Sequence, residues 1–204
     1  AEFLHELKGR TAKIIAAASL YHWNSSAVSE TAALYPEMTV REIPIELSGR
    51  EVNAMLEHCY EKCLGQAEHI RNIKDIQKKE AFEVLIHGRI PVMQSTQCMK
   101  KTTGHCNKTS EEIWLEDKKG RKLPVTTHCR ECYNLIWQEK PYDLIGEDLT
   151  GSIPYVTRHR FDLFHMSEKE IKEMKDRYLI WQENHFMCDL QKDDTEHHWN
   201  YGIE

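Results

Sequence analysis

The chain reads as an α/β protein built on a parallel sheet, and three observations lead there. Short runs of apolar or β-branched residues, with few polar interruptions, recur along it as they do in strands covered on both faces. Between them lie longer segments whose apolar residues repeat at helical spacing. The two kinds alternate through four strand–helix units, a succession that builds either a β/α barrel or a doubly wound sheet.

In chain order, Lys13 to Ser19 (KIIAAAS) is the first predicted strand. The polar residues of WNSSAVSETAALY then offer N-caps for a helix holding Val28, Ala32 and Leu34. Thr39 to Glu46 is the second strand, with Pro44 placed where no ladder donor is needed. Ser48 and Glu51 form an S-x-x-E capping box opening a helix over Val52 to Cys63. Gly65 to Glu80 is polar and charged, the composition of a solvated helix or a loop. Phe82 to His87 is the third strand. The segment IWLEDKKGRKLPV predicts a hairpin, two β-rich arms around a glycine turn. Pro141 to Pro154 is a connection, and Val156 to Phe164 the last strand. Ser167 and Glu170 make a second capping box, starting a helix with Ile171, Met174, Tyr178 and Trp181 on its apolar face.

A chain of 204 residues with 40% hydrophobic content can bury one substantial core. The reading divides it into an α/β domain over 1–184, a Cys-rich insertion at 91–137 inside that domain, and a polar tail over 185–204. Its net charge of -6 and pI near 6.1 exclude a strongly basic nucleic-acid binder, so any RNA contact has to be local. The longest apolar run, Ile14 to Tyr21, is too short to span a bilayer, and no basic segment with an apolar core opens the chain. A cytoplasmic protein with no membrane partner is expected.

Seven cysteines, an odd number, fit metal binding better than a secreted disulfide framework. Four of them lie between His87 and Trp137. Seven residues separate Cys98 from Cys106, twenty-two separate Cys106 from Cys129, and Cys129 and Cys132 form a CxxC. Thiolates are soft ligands, and four of them brought together suit tetrahedral zinc or the corners of an iron–sulfur cluster; spacing alone leaves both open. Cys59 and Cys63 continue the apolar stripe of Val52, Met55 and Leu56 and read as core rather than as ligands. Cys188 stands alone.

HGRIPVM, a cysteine-containing KTTGHC loop, the turn at Asp117 to Gly120 and HCRECYN together resemble the collagenase-like peptidase family of unassigned catalytic type. The resemblance extends to IIAAASLYHWNSSAV, IPIELSGREV, RFDLF and a tail run through Thr195, His198, Trp199, Gly202 and Glu204, and so covers most of the chain. It implies a fold: the C-terminal half of a TIM-type β/α barrel, with the remaining half supplied by another chain, a longer precursor or a dimer. It also implies function, because members include enzymes that hydroxylate a pyrimidine of tRNA or ribosomal RNA, and several carry a four-cysteine 4Fe-4S cluster. Cys98, Cys106, Cys129 and Cys132 then become cluster ligands, with RNA or a small molecule as substrate. The alternatives are a collagenase-like peptidase, that is a hydrolase, and a structural zinc module without catalysis. Lys118, where the family has arginine, and His197 are departures from its pattern.

Barrels present reactive groups at the C-terminal ends of their strands, which brings forward His87 and Arg89, and also Asn24 and Glu46. Arg89 is the candidate for a substrate anion, since a guanidinium forks onto a carboxylate or phosphate. Arg130, between two ligand cysteines, is placed to tune the charge of the site, while Asp117 organises a turn. His105 and His128, each preceding a cysteine, read as partners of ligands rather than ligands. Neither GxSxG nor HExxH is present, so the sequence shows no hydrolytic motif.

Overall fold

The computed structural model describes residues 14–66, 81–147, 149, 156–184 and 199. These form a mixed α/β protein with two sheets and four helices, and no closed barrel is present among the described residues. The chain divides into two compact units, one comprising Ala1–Ile86, Leu144–Phe161 and Lys172–Glu204, the other His87–Asp143 and Asp162–Ile171.

In the first unit, β1 (Ile14–Ala16), β2 (Met38–Glu42) and β3 (Ala81–Gly88) lie side by side in sequence order and pair in parallel, with Ile15 opposite Val40 and Arg41 opposite Phe82. The expected first strand is shorter than predicted because Ala18–Leu20 turns into a 3-10 helix, closed by Tyr21 at φ 52°. The second stops at Glu42, two residues before Pro44, whose ring nitrogen has no hydrogen for a ladder. Asn24 caps α1 (Ser25–Leu34), its side-chain oxygen accepting from the Ala27 amide at 2.9 Å. The Ser48–Glu51 capping box forms as predicted at the start of α2 (Gly49–Gln66): the Ser48 amide and hydroxyl donate to one Glu51 oxygen at 2.8 and 2.7 Å. The predicted solvated stretch lies, from residue 67 to 80, outside the described residues.

Val40, Phe82 and Ile86 from the strands and Val28, Val52 and Leu56 from the helices are buried together in the first unit, and Cys59 is buried with them. β9 (Arg158–Phe161) pairs with β3, and Trp181, on α4 (Glu168–Glu183), is fully buried and donates its indole N–H to the Glu147 carbonyl at 3.1 Å. Trp199 is buried against Gly49, where an added Cβ would come within 2.9 Å of the indole ring. The rest of the predicted tail, with His197, His198 and Cys188, lies outside the described residues.

Two imidazoles of this unit tie its stability to pH. Burial holds His22 below its usual pKa, helped by the charge of Arg41, and burial alone does the same to His159. In each case the unfolded chain binds a proton more readily than the folded one, so stability falls as pH drops below about 6.5. A urea midpoint that decreases between about pH 7 and pH 5 is expected, and His159→Phe should flatten part of that slope.

The second unit is a four-stranded antiparallel sheet in the order β4 (Pro91–Ser95), β7 (Tyr133–Trp137), β6 (Lys122–His128), β5 (Glu112–Glu116). A short helix, α3 (Met99–Thr102), lies between β4 and β5, and β8 (Tyr142–Asp143) pairs antiparallel with the last two residues of β3. The predicted hairpin is β5–β6, with Trp114 opposite Pro124. Its turn is organised by Asp117, whose carboxylate accepts from the Lys119 and Arg121 amides at 2.8 and 2.9 Å and from the Arg121 guanidinium at 2.7 Å, while Gly120 takes φ 79°.

Candidate metal centre

Sequence separation does not keep the four cysteines apart, because the β5–β6 hairpin returns the chain to where it left. The connection from β4 to β5 carries Cys98 and Cys106; the four-residue turn from β6 to β7 is Cys129-Arg130-Glu131-Cys132 itself. All four line one cavity of about 500 Å³ with Lys108, Ser110, His128, Arg130, Tyr133 and Asn134. None is in a disulfide. Among the described residues no three His, Cys, Asp or Glu side chains come close enough together to hold a single ion.

Each cysteine is placed by local structure. Cys98 is the N-cap of α3, its sulfur accepting from the Lys101 amide at 3.4 Å. The Cys129 thiol donates to the Thr109 carbonyl at 3.1 Å, and its amide donates to the Ser110 hydroxyl at 3.0 Å. Cys132 closes the tight turn in the left-handed region at φ 57°, a strained conformation for a residue with a Cβ. Lys108, which also lines the cavity, has the same kind of strain at φ 60°.

The residue two positions after Cys132 joins the two cysteine pairs. Asn134, buried on β7, donates from its amide nitrogen to the Ser95 and Gln97 carbonyls at 3.3 and 2.8 Å, and so fixes the chain that enters Cys98. Tyr133 lies opposite His128 in the ladder and stacks on it, ring centres 4.3 Å apart and planes 9° from parallel. Nε2 of His128 is buried and makes no hydrogen bond among the described residues. Asn134→Ala removes the donor of the part-buried bonds to the Ser95 and Gln97 carbonyls, a loss of about 1–3 kcal/mol for the two bonds together; the unit should melt earlier and Cys98 should become more accessible to alkylation.

Of the other predicted catalytic candidates, His87 and Arg89 do not line this cavity. The Arg89 guanidinium donates to the main-chain carbonyls of Gln138, at 2.9 Å, and Glu139, a clamp on the strand exit rather than an open fork. His87 is buried, with Nδ1 3.4 Å from an Asp143 carboxylate oxygen and neither ring nitrogen in a hydrogen bond among the described residues. Asn24 is engaged as a helix cap, and exposed His105 does not line the cavity. Arg130 does line it, with 94% of its side chain exposed.

Two arrangements escaped the sequence reading. Glu112, His165 and Thr126 form a relay: Glu112 Oε1 lies 3.0 Å from His165 Nδ1, and Thr126 Oγ1 lies 3.2 Å from His165 Nε2, with the Trp137 indole donating to the same hydroxyl at 3.0 Å. Its members are far apart in sequence and belong to no motif, so only the fold joins them. Lys100 is the second: it lies between Cys98 and Cys106 but reads as one of a pair of ordinary lysines, and its burial is the signal that sequence lacks.

No family model, curated protein or solved structure matches the chain. Among the described residues no helix is long and apolar enough to cross a membrane.

Proposed function

We propose that this chain is the iron–sulfur domain of an enzyme of RNA-pyrimidine hydroxylation or a related oxygen transfer, with Cys98, Cys106, Cys129 and Cys132 as ligands of a 4Fe-4S cluster. The supporting observation is that four free thiols, drawn from two separate connections, line one cavity. Its size favours a cluster over a lone ion. Four sulfurs around one zinc, each about 2.3 Å from the metal, sit roughly 3.8 Å apart and enclose almost no space. A cluster carries its metals at separate corners, spreads its thiolates further and fills more of a cavity of about 500 Å³.

Bound there, a cluster supplies one-electron transfer or an iron with an open coordination position. The chain's own residues hold the thiols in place through Asn134 and the Thr109–Ser110 segment, and set positive charge at the rim with Lys108 and Arg130. In a chain of net charge -6 that local charge is the form a contact with RNA phosphates would take. The RNA and hydroxylation parts of the reading rest on the resemblance of the HGRIPVM, KTTGHC and HCRECYN segments.

For the fold, we read β1, β2 and β3 as part of a barrel half. Sequential parallel order is what a barrel requires, and β1 has a single strand partner among the described residues, with Ile15 half exposed. The remaining strands would come from another chain or a longer precursor, and sedimentation at low concentration tests this: a stable monomer counts against it.

Iron and acid-labile sulfide in the full chain prepared without oxygen test the function. Brown protein containing both supports the proposal. Colourless protein with one zinc per chain points instead to a structural zinc module, and protein with no metal sinks the metal centre altogether. The peptidase reading has one arrangement in its favour, the Glu112–His165–Thr126 relay, which has the order of a carboxylate, base and hydroxyl nucleophile. It ranks second because Trp137 already donates to the hydroxyl. Gelatin hydrolysis by the chain, abolished in Thr126→Val, would restore it.

A further inference from the structure

We infer that Lys100 is the counter-charge of the four-thiol centre and the residue that locks its two ligand pairs together. The inference rests on the reading of Cys98, Cys106, Cys129 and Cys132 as one metal site.

Lysine is rarely buried without a specific partner, because an ammonium loses its hydration there. Lys100 is only 4% exposed. Its Nζ donates to the Asn107 side-chain oxygen, to the Thr109 carbonyl at 2.7 Å, and to a Glu111 carboxylate oxygen at 2.5 Å. Three donors on one ammonium meet three acceptors, so hydrogen-bonding capacity is filled. All three acceptors lie on the segment that leads from Cys106 into β5, whereas Lys100 itself follows Cys98 on α3. The ammonium therefore cross-links the two arms of the first cysteine pair.

The same cage reaches the second pair. The Thr109 carbonyl that accepts from Lys100 also accepts from the Cys129 thiol, and the Ser110 hydroxyl accepts from the Cys129 amide.

Four thiolates around a doubly charged metal core leave a dianionic centre, and desolvated anions need a cation nearby. Lys108 and Arg130 stand at the solvent rim, where water screens them. Lys100 is the buried cation. Glu111 offsets part of its charge, but at 42% side-chain exposure that carboxylate is the better screened of the two.

The experiment uses the full chain reconstituted with ferrous iron and sulfide, and reads the loss of cluster absorbance to a chelator and the reduction midpoint in a dithionite titration with mediator dyes. Lys100→Met should lose the cluster about tenfold faster or more, the usual cost of removing a partner of the ligands. Its midpoint should move to more negative potential, because an added electron meets less positive charge. Lys100→Arg, which keeps charge and donors, should restore the midpoint. Glu111→Gln should move it in the opposite direction, to more positive potential, which a purely structural role for Lys100 does not predict. Lys122→Met, a lysine on the exposed end of the hairpin, is the control and should match the wild type.

A Lys100→Met chain with the wild-type midpoint and wild-type retention overturns the inference and leaves the metal centre standing. Equal shifts in Lys100→Met and Lys100→Arg, with none in Glu111→Gln, also overturn the counter-charge. A wild-type chain that takes up neither iron nor sulfide sinks the metal centre and this inference with it.

Discussion

Cys129→Ala is expected to strip the chain of iron and acid-labile sulfide, and each of Cys98→Ala, Cys106→Ala and Cys132→Ala to do nearly the same. Cys129 is the best supported of the four, with its thiol on the Thr109 carbonyl and its amide on the Ser110 hydroxyl, so its loss also unfastens the segment behind the cavity. The affinity effect should exceed the 10–100-fold typical of residues that only support a ligand, on the order of 100-fold or more. Cys59→Ala is the comparison. That thiol is buried among the apolar residues of the first unit and does not line the cavity, and its replacement should leave iron content unchanged. Metal analysis of the five variants, prepared side by side without oxygen, checks the prediction; retention of full iron in Cys129→Ala would remove that residue from the ligand set.

The largest stability effect is expected from Trp181→Ala. The indole is completely buried, lies beside His159 and Tyr178 with ring centres 6.3 and 6.0 Å away, and supplies the N–H that the Glu147 carbonyl accepts. Truncation leaves a cavity and removes that donor together, a loss of about 3–5 kcal/mol. Trp181→Phe refills much of the volume without the N–H and should lose less. Denaturant midpoints of the two variants give the comparison, and an alanine variant within about 1 kcal/mol of the wild type would show that the site collapses around the gap.

Much of the fold was legible because it is written in local signals. The S-x-x-E boxes at Ser48 and Ser167 mark helix starts in the sequence and form in the structure, with Glu170 accepting from the Ser167 amide and hydroxyl at 2.7 and 2.6 Å. Apolar runs located β1, β2 and β3, and the glycine-centred turn located the β5–β6 hairpin. Strand ends were less legible: the first and second strands stop early, because a 3-10 turn and the approach to Pro44 take over from apolar pattern. The turn of the Arg89 guanidinium onto the Gln138 and Glu139 carbonyls, some fifty residues away in sequence, likewise has no local signal. Cysteine spacing named the four thiols that line the cavity, but the residues that join them, Lys100 and Asn134, carry no spacing signature. Their partners are carbonyls and side chains that only the fold brings within reach.

Trp199 seated on Gly49 also sets an order of events during synthesis. The first turn of α2 is made early, yet the indole that covers it leaves the ribosome roughly 150 residues later, on the order of ten to thirty seconds at ordinary translation rates. The first unit is assembled from three separated stretches of chain and waits for the last of them, whereas the β4–β7 sheet with its four cysteines is continuous and already out. The thiol-lined cavity can therefore close while the larger unit is still incomplete. A nascent chain stalled between residues 171 and 199 should protect the cysteine sheet from protease and leave α2 open to it.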